Sequence, residues 1–488
     1  MQTDPQEAVD FFAAFISWDT FMNCRFFISS FLVMLFPASF FVKWRRADES
    51  RLWKFTSIFN KRNTKVVYCI VLITCFIYEI PATSRYLQLF NPNYDQKELE
   101  SFLFKKYHKE APTPLHRVIY SFHTLYKSRR TLEKIRQSTL SANIDSCSFK
   151  SPHIVLIIGE SYNKHHSSIY GYKLQTTPEQ ERRMKDNELF AFSNVVSPWN
   201  ITSNVMMDIF SLWEYGSKEK FHDFPLFPVL FKKAGYYVSF SSSQFGIEGK
   251  SKGITNIAGN YFITDSVLNR AMFTQRNKNK IREDMRLVHN FASNKAKRDS
   301  TRPSLDIIHL IGQHFNYSKR YPKEDAYFFV ENYNDSDLNI RAKKTVMHYD
   351  NATRYNDKIL DSILSLFEND EAIVIFVADH GEQVYDNGQF QGRLFQDPTA
   401  EQAKYEFEVP MWIWYSKSYR EKHPEIVASI IEAQNKPFMT DGIPQLLLSL
   451  AGIESIWNND SHNLLSPEYK CKPRIIGGNI DYDLLMKN

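Results

Sequence analysis

A chain of 488 residues, 43% hydrophobic and 24% charged, suits an ordered, core-forming protein of two or three domains and excludes general disorder. The formal net charge of +5 is modest and partly that of one basic loop, so it gives no case for nucleic-acid binding. Aromatic residues make up 15%, and many border apolar runs near the amino end, the pattern of a membrane interface.

Residues 24–42 (CRFFISSFLVMLFPASFFV) have the length of one bilayer crossing, and residues 64–82 (TKVVYCIVLITCFIYEIPA) hold a shorter apolar centre that reads as a second. Pro37 interrupts the first and Glu79 closes the second, so a buried core helix is the competing reading. Between them residues 43–65 carry eight Lys or Arg against Asp48 and Glu49. Short basic loops stay cytoplasmic, which puts everything after residue 82 outside. The amino terminus then also lies outside, as expected of the last pair in a longer set of crossings. Residues 1–10 are acidic, unlike the start of a cleavable signal peptide. Cys24, Cys69 and Cys75 fall in the apolar segments, leaving Cys147 and Cys471 as either one disulfide or two free thiols.

Residues 83–150 are polar, broken at Pro112 and Pro114, and read as a connector. Within them Leu115, Val118, Ile119, Phe122 and Leu125 recur at helical intervals. That amphipathic helix either lies on the membrane or docks on the domain that follows. From residue 151 the texture becomes α/β. Predicted strands at 153–158, 236–240, 305–311 and 371–378 alternate with amphipathic stretches at 225–234, 349–367 and 442–450, which argues for a largely parallel sheet covered by helices on both faces.

Two of these strands end in chemistry. The first delivers Glu160; the last stops abruptly at Asp379, His380 and Glu382. Open α/β sheets bind ligands outside the carboxyl ends of their strands. Residues 195–211 (VVSPWNITSNVMMDIFS) place a Ser/Thr turn before a helix that begins near Ser203. Thr202 is there a candidate nucleophile, or Thr202 or Ser203 is simply the helix N-cap. Glu160, the Thr202 region, the stretch from His309 to His314, and Asp379 with His380 would meet at one sheet edge. Two carboxylates and an imidazole, with no thiolate set, suit zinc or manganese.

GES at 159–161, HHSSIYGY at 165–172, TTP at 176–178, the segment around Thr202, IIHLIGQHFNYSKRYP at 307–322, YDNATRYND at 349–357 and VADHGEQVYDNG at 377–388 follow one another in order. Together they resemble the phosphoethanolamine transferases of the sulfatase and alkaline-phosphatase-like superfamily. The resemblance implies an α/β fold of the alkaline-phosphatase and sulfatase type behind a helical membrane anchor. Residues 1–82 would form a membrane region with two crossings, 83–150 a periplasmic helical connector, and 151–488 a periplasmic catalytic domain. The expected setting is the bacterial inner membrane, the catalytic domain facing the periplasm, and the expected state a monomer.

Carried over residue by residue, the resemblance makes Glu160, Thr202, Asp379 and His380 the ligands of a tightly held zinc, with manganese or another divalent metal the alternative. Thr202 becomes the residue that takes phosphoethanolamine from phosphatidylethanolamine, for delivery to a lipid A phosphate or a core sugar of lipopolysaccharide. His314 is implied as a catalytic residue touching the phosphoryl group or a second, weaker metal, while His309 upstream is a satisfied core histidine. Gln244 and Lys250 are candidates for substrate contact. Gly392 stands where the lipid A modifiers have another histidine, which weakens the case for a second metal and hints at a different acceptor subgroup. The chain also has fewer crossings and fewer disulfides than those enzymes. A sulfatase proper would need a Cys or Ser in a C/S-x-P-x-R context, and none occurs near Thr202. A phosphoglycerol transferase of the same fold, or an inactive membrane-anchored binding protein, are the remaining rivals.

Overall fold

The computed structural model describes residues 114–244, 261–277, 281–334, 337–386, 390–394 and 397–487. The two predicted crossings, the basic loop between them and Lys250 lie outside the described residues. Within the described chain, short apolar runs together with more polar segments become the strands of a seven-stranded sheet. These are β1 (His153–Gly159), β2 (Leu189–Phe192), β3 (Tyr237–Ser242), β4 (Gln275–Arg276), β5 (Ser304–His309), β6 (Ala372–Ala378) and β7 (Met411–Tyr415), in spatial order β2-β7-β6-β1-β5-β3-β4. β1 pairs parallel with both β5 and β6, and β3 pairs parallel with β5 and β4. β7 runs antiparallel to β6 and β2, so the sheet is mixed.

Every residue of β6, and every residue of β1 after His153, is buried, so both faces of the sheet are covered and neither strand has a solvent-facing side on which to alternate. Phe376 stacks on Trp412 across two of these strands, ring centroids 5.0 Å apart. Removing such a buried ring costs about 3–5 kcal/mol.

The covering helices include α1 (Pro114–Ser141), α2 (Thr202–Phe210), α3 (Pro228–Ala234), α4 (Asp284–Lys295), α5 (Ile340–Ser365), α6 (Ala400–Phe407) and α7 (Ile443–Ala451). Two boundaries differ from the sequence reading for identifiable reasons. α5 starts nine residues before Tyr349, because the Asn339 side chain accepts from Ala342 N–H (3.0 Å) and caps the helix there. β5 ends at His309 rather than 311, because the Asp284 carboxylate takes the N–H groups of Ile311 (2.8 Å) and Gly312 (2.9 Å) and turns the chain.

The carboxyl-terminal half of α1 docks on the domain. Ile135 is fully buried, Arg136 pairs with Asp265 at 2.6 Å, and Ser138 Oγ donates to Phe224 O at 3.1 Å. Ser146–Cys147 then pairs with Ile453–Glu454. Cys147 and Cys471 are free thiols. No helix among the described residues is long and apolar enough to cross a membrane.

Candidate active site

The strand register brings the site together. Gly159 lies beside Ala378, and Ile158 beside His309, so Glu160 and Asp379 leave the sheet side by side, with Asp379 N–H donating to Gly159 O (3.0 Å). Ser161 then takes a left-handed conformation, φ +54°, which is uncommon without glycine. Its N–H (3.0 Å) and that of His380 (2.7 Å) both donate to Asp379 Oδ1, and its Oγ donates to Glu160 Oε1 (2.9 Å). Glu160, Asp379 and His380 are fully buried, and one ligand-type atom from each lies within 4.8 Å of the others.

Thr202 opens α2 behind Ile201, an extended residue whose side chain makes no cap. The hydroxyl is not spent on capping either: Oγ1 lies 3.2 Å from each oxygen of Glu160 and 3.2 Å from His380 Nε2. His380 Nδ1 faces Gly381 O at 2.8 Å, so that nitrogen carries the proton and Nε2 turns its lone pair into the cluster. A Cβ at Gly381 would collide with the Tyr405 carbonyl. Gly312, φ +44°, passes so close to Glu160 that a Cβ there would lie 3.0 Å from its carbonyl oxygen.

Burial opposes ionisation of Glu160, yet His380, His314 and Arg393 beside it hold this carboxyl well below its usual range. Asp379 goes the other way: burial, then the charge of Glu160, push it well above. Burial, with Arg393, pushes His380 down to about 4. Its 3.4 Å approach to Glu160 is therefore a contact with a neutral ring rather than an ion pair. Two buried carboxyls that face one point do not ionise independently, and their pKa values are driven apart. Among the described residues Asp379 Oδ2 has no hydrogen-bond partner. An orphan oxygen, an inward lone pair, a hydroxyl and a second carboxylate form a mixed oxygen and nitrogen donor set that fits zinc or manganese.

The other sequence candidates lie around this cluster. His314 is half-buried in the turn after β5, where its N–H donates to Ile311 O (3.0 Å), and its charge is felt at Glu160 and Glu382. His309 is fully buried against Ser242 Oγ (3.1 Å), and burial pushes it down to about 4. Gln244 Nε2 donates to Glu160 Oε2 (2.7 Å) and Leu310 O (3.3 Å), so it holds a member of the cluster.

Three residues passed over in the sequence complete the surroundings. Arg393 Nη1 lies 2.5 Å from His380 Nε2 and donates to Asn200 O (2.9 Å). Glu406, pushed up to about 7 by burial, accepts from Asn200 Nδ2 (2.6 Å), Gln383 Nε2 (2.6 Å) and Leu394 N–H (3.2 Å). It thereby ties the segment before Thr202 to the segments on either side of Arg393. No periodicity or motif marks Arg393, Asn200 or Glu406; their meeting depends on contacts between distant stretches of chain.

A family model described as Sulfatase matches residues 152–453. Phosphoethanolamine transferase EptC of Escherichia coli (strain K12) is 26% identical over 344 residues, covering 68% of this chain and 57% of that protein. The chain thus spans little more than half the length of the curated relatives it matches. The crystal structure of the C-terminal periplasmic domain of EcEptC from Escherichia coli in complex with Zn aligns with a TM-score of 0.58 at 23% identity, over 70% of this chain and 96% of that one. The integral membrane protein lipooligosaccharide phosphoethanolamine transferase A (EptA) from Neisseria meningitidis aligns with a TM-score of 0.57 at 17% identity, over 95% of this chain and 80% of that one. Both likenesses show the fold, an α/β sheet of the alkaline-phosphatase and sulfatase type.

Proposed function

We infer the function from two premises: this chain belongs to the sulfatase family, and its Thr202 hydroxyl hydrogen-bonds a buried carboxylate–histidine cluster. On them we propose a metal-dependent phosphoethanolamine transferase. It takes the group from phosphatidylethanolamine onto Thr202 and passes it to a lipopolysaccharide acceptor, a lipid A phosphate or a core sugar. The relative named above as EptC and the solved structures named for EptC and EptA support this choice of group. Thr202 Oγ1 carries the reading: it points into the cluster from the first turn of α2 instead of capping it.

Glu160, Thr202, Asp379 and His380 would hold the divalent cation, zinc as first choice, which when bound lowers the pKa of a ligated hydroxyl and offsets charge on phosphoryl oxygens. The chain supplies the rest. Ser161 N–H and His380 N–H fix Asp379, while Ser161 and Gln244 fix Glu160. In the first transfer Thr202 Oγ1 releases its proton to solvent water and bonds phosphorus. The bond from phosphorus to the glycerol oxygen breaks with its electron pair, and that oxygen takes a proton for which His314 is the proposed donor. In the second, a sugar hydroxyl gives its proton to His314, or a phosphate attacks through an ionised oxygen while His314 is reprotonated from water; the acceptor oxygen bonds phosphorus, the Thr202–phosphorus bond breaks with its electron pair, and Thr202 Oγ1 takes a proton from water. Residues 1–82 would anchor this domain at the inner membrane facing the periplasm, where both substrates are amphiphiles.

The test is the intact mass of the chain and of Thr202→Ala after incubation with phosphatidylethanolamine and zinc, with extraction of the lipids. The expected result is a phosphoethanolamine adduct and released diacylglycerol in the wild type, and neither in the variant. Metal-loaded wild type that yields neither sinks the donor assignment and favours a phosphoglycerol donor.

A further inference from the structure

We propose that Arg393 is a catalytic residue that binds the anionic oxygens of the phosphodiester; this rests on the phosphotransfer reading above. The segment that follows the Asp379–His380 pair folds back on itself, Gln391 pairing with Val384 and Gly392 with Gln383. Gly392 then turns at φ +111°, a conformation that side chains resist, and Arg393 comes back beside His380.

The residue after Arg393 is held at both of its backbone polar groups. Leu394 N–H donates to Glu406, and Leu394 O accepts from Asn200 Nδ2 at 2.9 Å. The guanidinium and the nucleophile are neighbours across a single nitrogen: Arg393 Nη1 approaches His380 Nε2 at 2.5 Å, and Thr202 Oγ1 approaches the same atom at 3.2 Å.

What Arg393 does not do is as informative. A half-buried arginine among carboxylates ordinarily uses its fork to grip one of them with two parallel hydrogen bonds. The charges of Glu382, Glu160, Asp379 and Glu406 all act on Arg393, yet its hydrogen bonds are made by Nη1 alone, to Asn200 O and His380. Among the described residues Nε and Nη2 have no partner. A brace between two loops would need no more than Nη1. The unused edge of the fork is the part that matches two oxygens of a phosphoryl group.

The chemistry requires such a group. A phosphodiester carries one negative charge, and to reach Thr202 it must enter beside the Glu160 carboxylate. A guanidinium supplies a cation that no pH in the working range removes. Its Nη1 gives up His380 Nε2 when that nitrogen takes the metal, and the guanidinium then neither gives nor takes a proton while the glycerol oxygen–phosphorus bond is exchanged for the Thr202–phosphorus bond and that for the acceptor's.

The experiment uses the full chain loaded with zinc, as wild type, Arg393→Met, which keeps the stem and removes the donors, and Arg393→Lys, which keeps charge without the fork. Zinc content comes first, followed by calorimetric titration with inorganic phosphate and diacylglycerol release from detergent-dispersed phosphatidylethanolamine. Arg393→Met is expected to keep its zinc and to bind phosphate on the order of 10- to 100-fold more weakly, the worth of a charge-assisted pair, with a matching rise in KM for the lipid; Arg393→Lys falls between. Wild-type affinity for phosphate in Arg393→Met overturns the proposal, and so does wild-type affinity in Arg393→Lys should the Met variant lose its zinc. A wild type that binds phosphate but releases no diacylglycerol overturns the phosphoethanolamine reading alone. An effect on phosphate but not on the lipid points to free phosphate as the ligand and overturns the role in transfer.

Discussion

The cluster of His166, Asp350 and Asp386 and the cluster of Glu160, Asp379 and His380 are built from the same residue types at similar depth, and they differ in what they leave unpaired. His166 Nδ1 meets Asp350 Oδ1 at 2.6 Å and Nε2 meets Asp386 Oδ1 at 3.2 Å. Asp350 Oδ2 accepts from Tyr172 (2.8 Å) and Tyr333 (2.6 Å). Asp386 accepts from Asn163 Nδ2 (3.2 Å) and Val384 N–H (2.7 Å). Every carboxylate oxygen in that network is met, and the result ties the HHSSIYGY segment to α5 and to the loop after Glu382. The other cluster leaves one oxygen of Asp379 without a hydrogen bond. A closed polar network rigidifies the fold; an open one at equal depth is a place for a ligand.

The contrast breaks first on His166. Its replacement by Ala leaves two buried aspartates facing a vacancy and is expected to cost about 3–5 kcal/mol, read from denaturant unfolding. Asp379→Asn in zinc-free protein is expected to cost less than about 1 kcal/mol, because that carboxyl is already pushed well above its usual range and its Oδ2 has no hydrogen bond to lose. Equal losses in the two variants would erase the distinction between a closed and an open cluster.

Zinc sharpens the same comparison with a somewhat smaller effect. At 100 times its Kd, a ligand that binds only the folded state adds about 2.7 kcal/mol. That gain is expected in the wild type and in His166→Asn, and is expected to vanish in Glu160→Gln and Asp379→Asn. A rise in Tm with zinc that survives both of the latter would show that the metal sits elsewhere.

How much of this was legible in the sequence follows from how local each contact is. β1 and β6 were readable because strands buried on both faces are written as unbroken apolar runs, and Glu160, Asp379 and His380 were readable because each run stops at them. The sequence left Thr202 between nucleophile and cap; the choice needed the direction of its side chain, which points to Glu160. The first two turns of α5, IRAKKTV, were missed because only the small Ala342 and Val346 are buried there while Ile340 is exposed, too short an apolar pattern to read as a helix, and the Asn339 cap is plain only once the helix is seen. Arg393 was out of reach altogether. It gains meaning from a turn at Gly392, a two-residue pairing back onto Gln383–Val384, and a bond to Asn200, which is far away in sequence.

Over a single pH unit, His166 should give the smallest effect and the clearest sign. Both of its ring nitrogens face carboxylates, and only an imidazolium donates from both. Burial opposes that charge, but Asp350 and then Asp386 overcome it and raise His166 from 6.5 to about 10. A histidine whose pKa is raised by folding contributes stability that is complete below the unfolded value. The contribution is lost as pH climbs from about 6.5 toward 10, at up to about 1.4 kcal/mol per unit. Groups that do not touch His166 act in wild type and His166→Asn alike, while Asp350 and Asp386, which do, belong to the cluster being measured. The stability difference between the two is therefore the quantity to measure, by urea unfolding from pH 6 to 9. It should be constant near pH 6 and shrink steadily above pH 7. A difference that stays flat to pH 9 would mean that His166 is neutral in the folded protein, and that the closed cluster is held by one hydrogen bond to the ring rather than two.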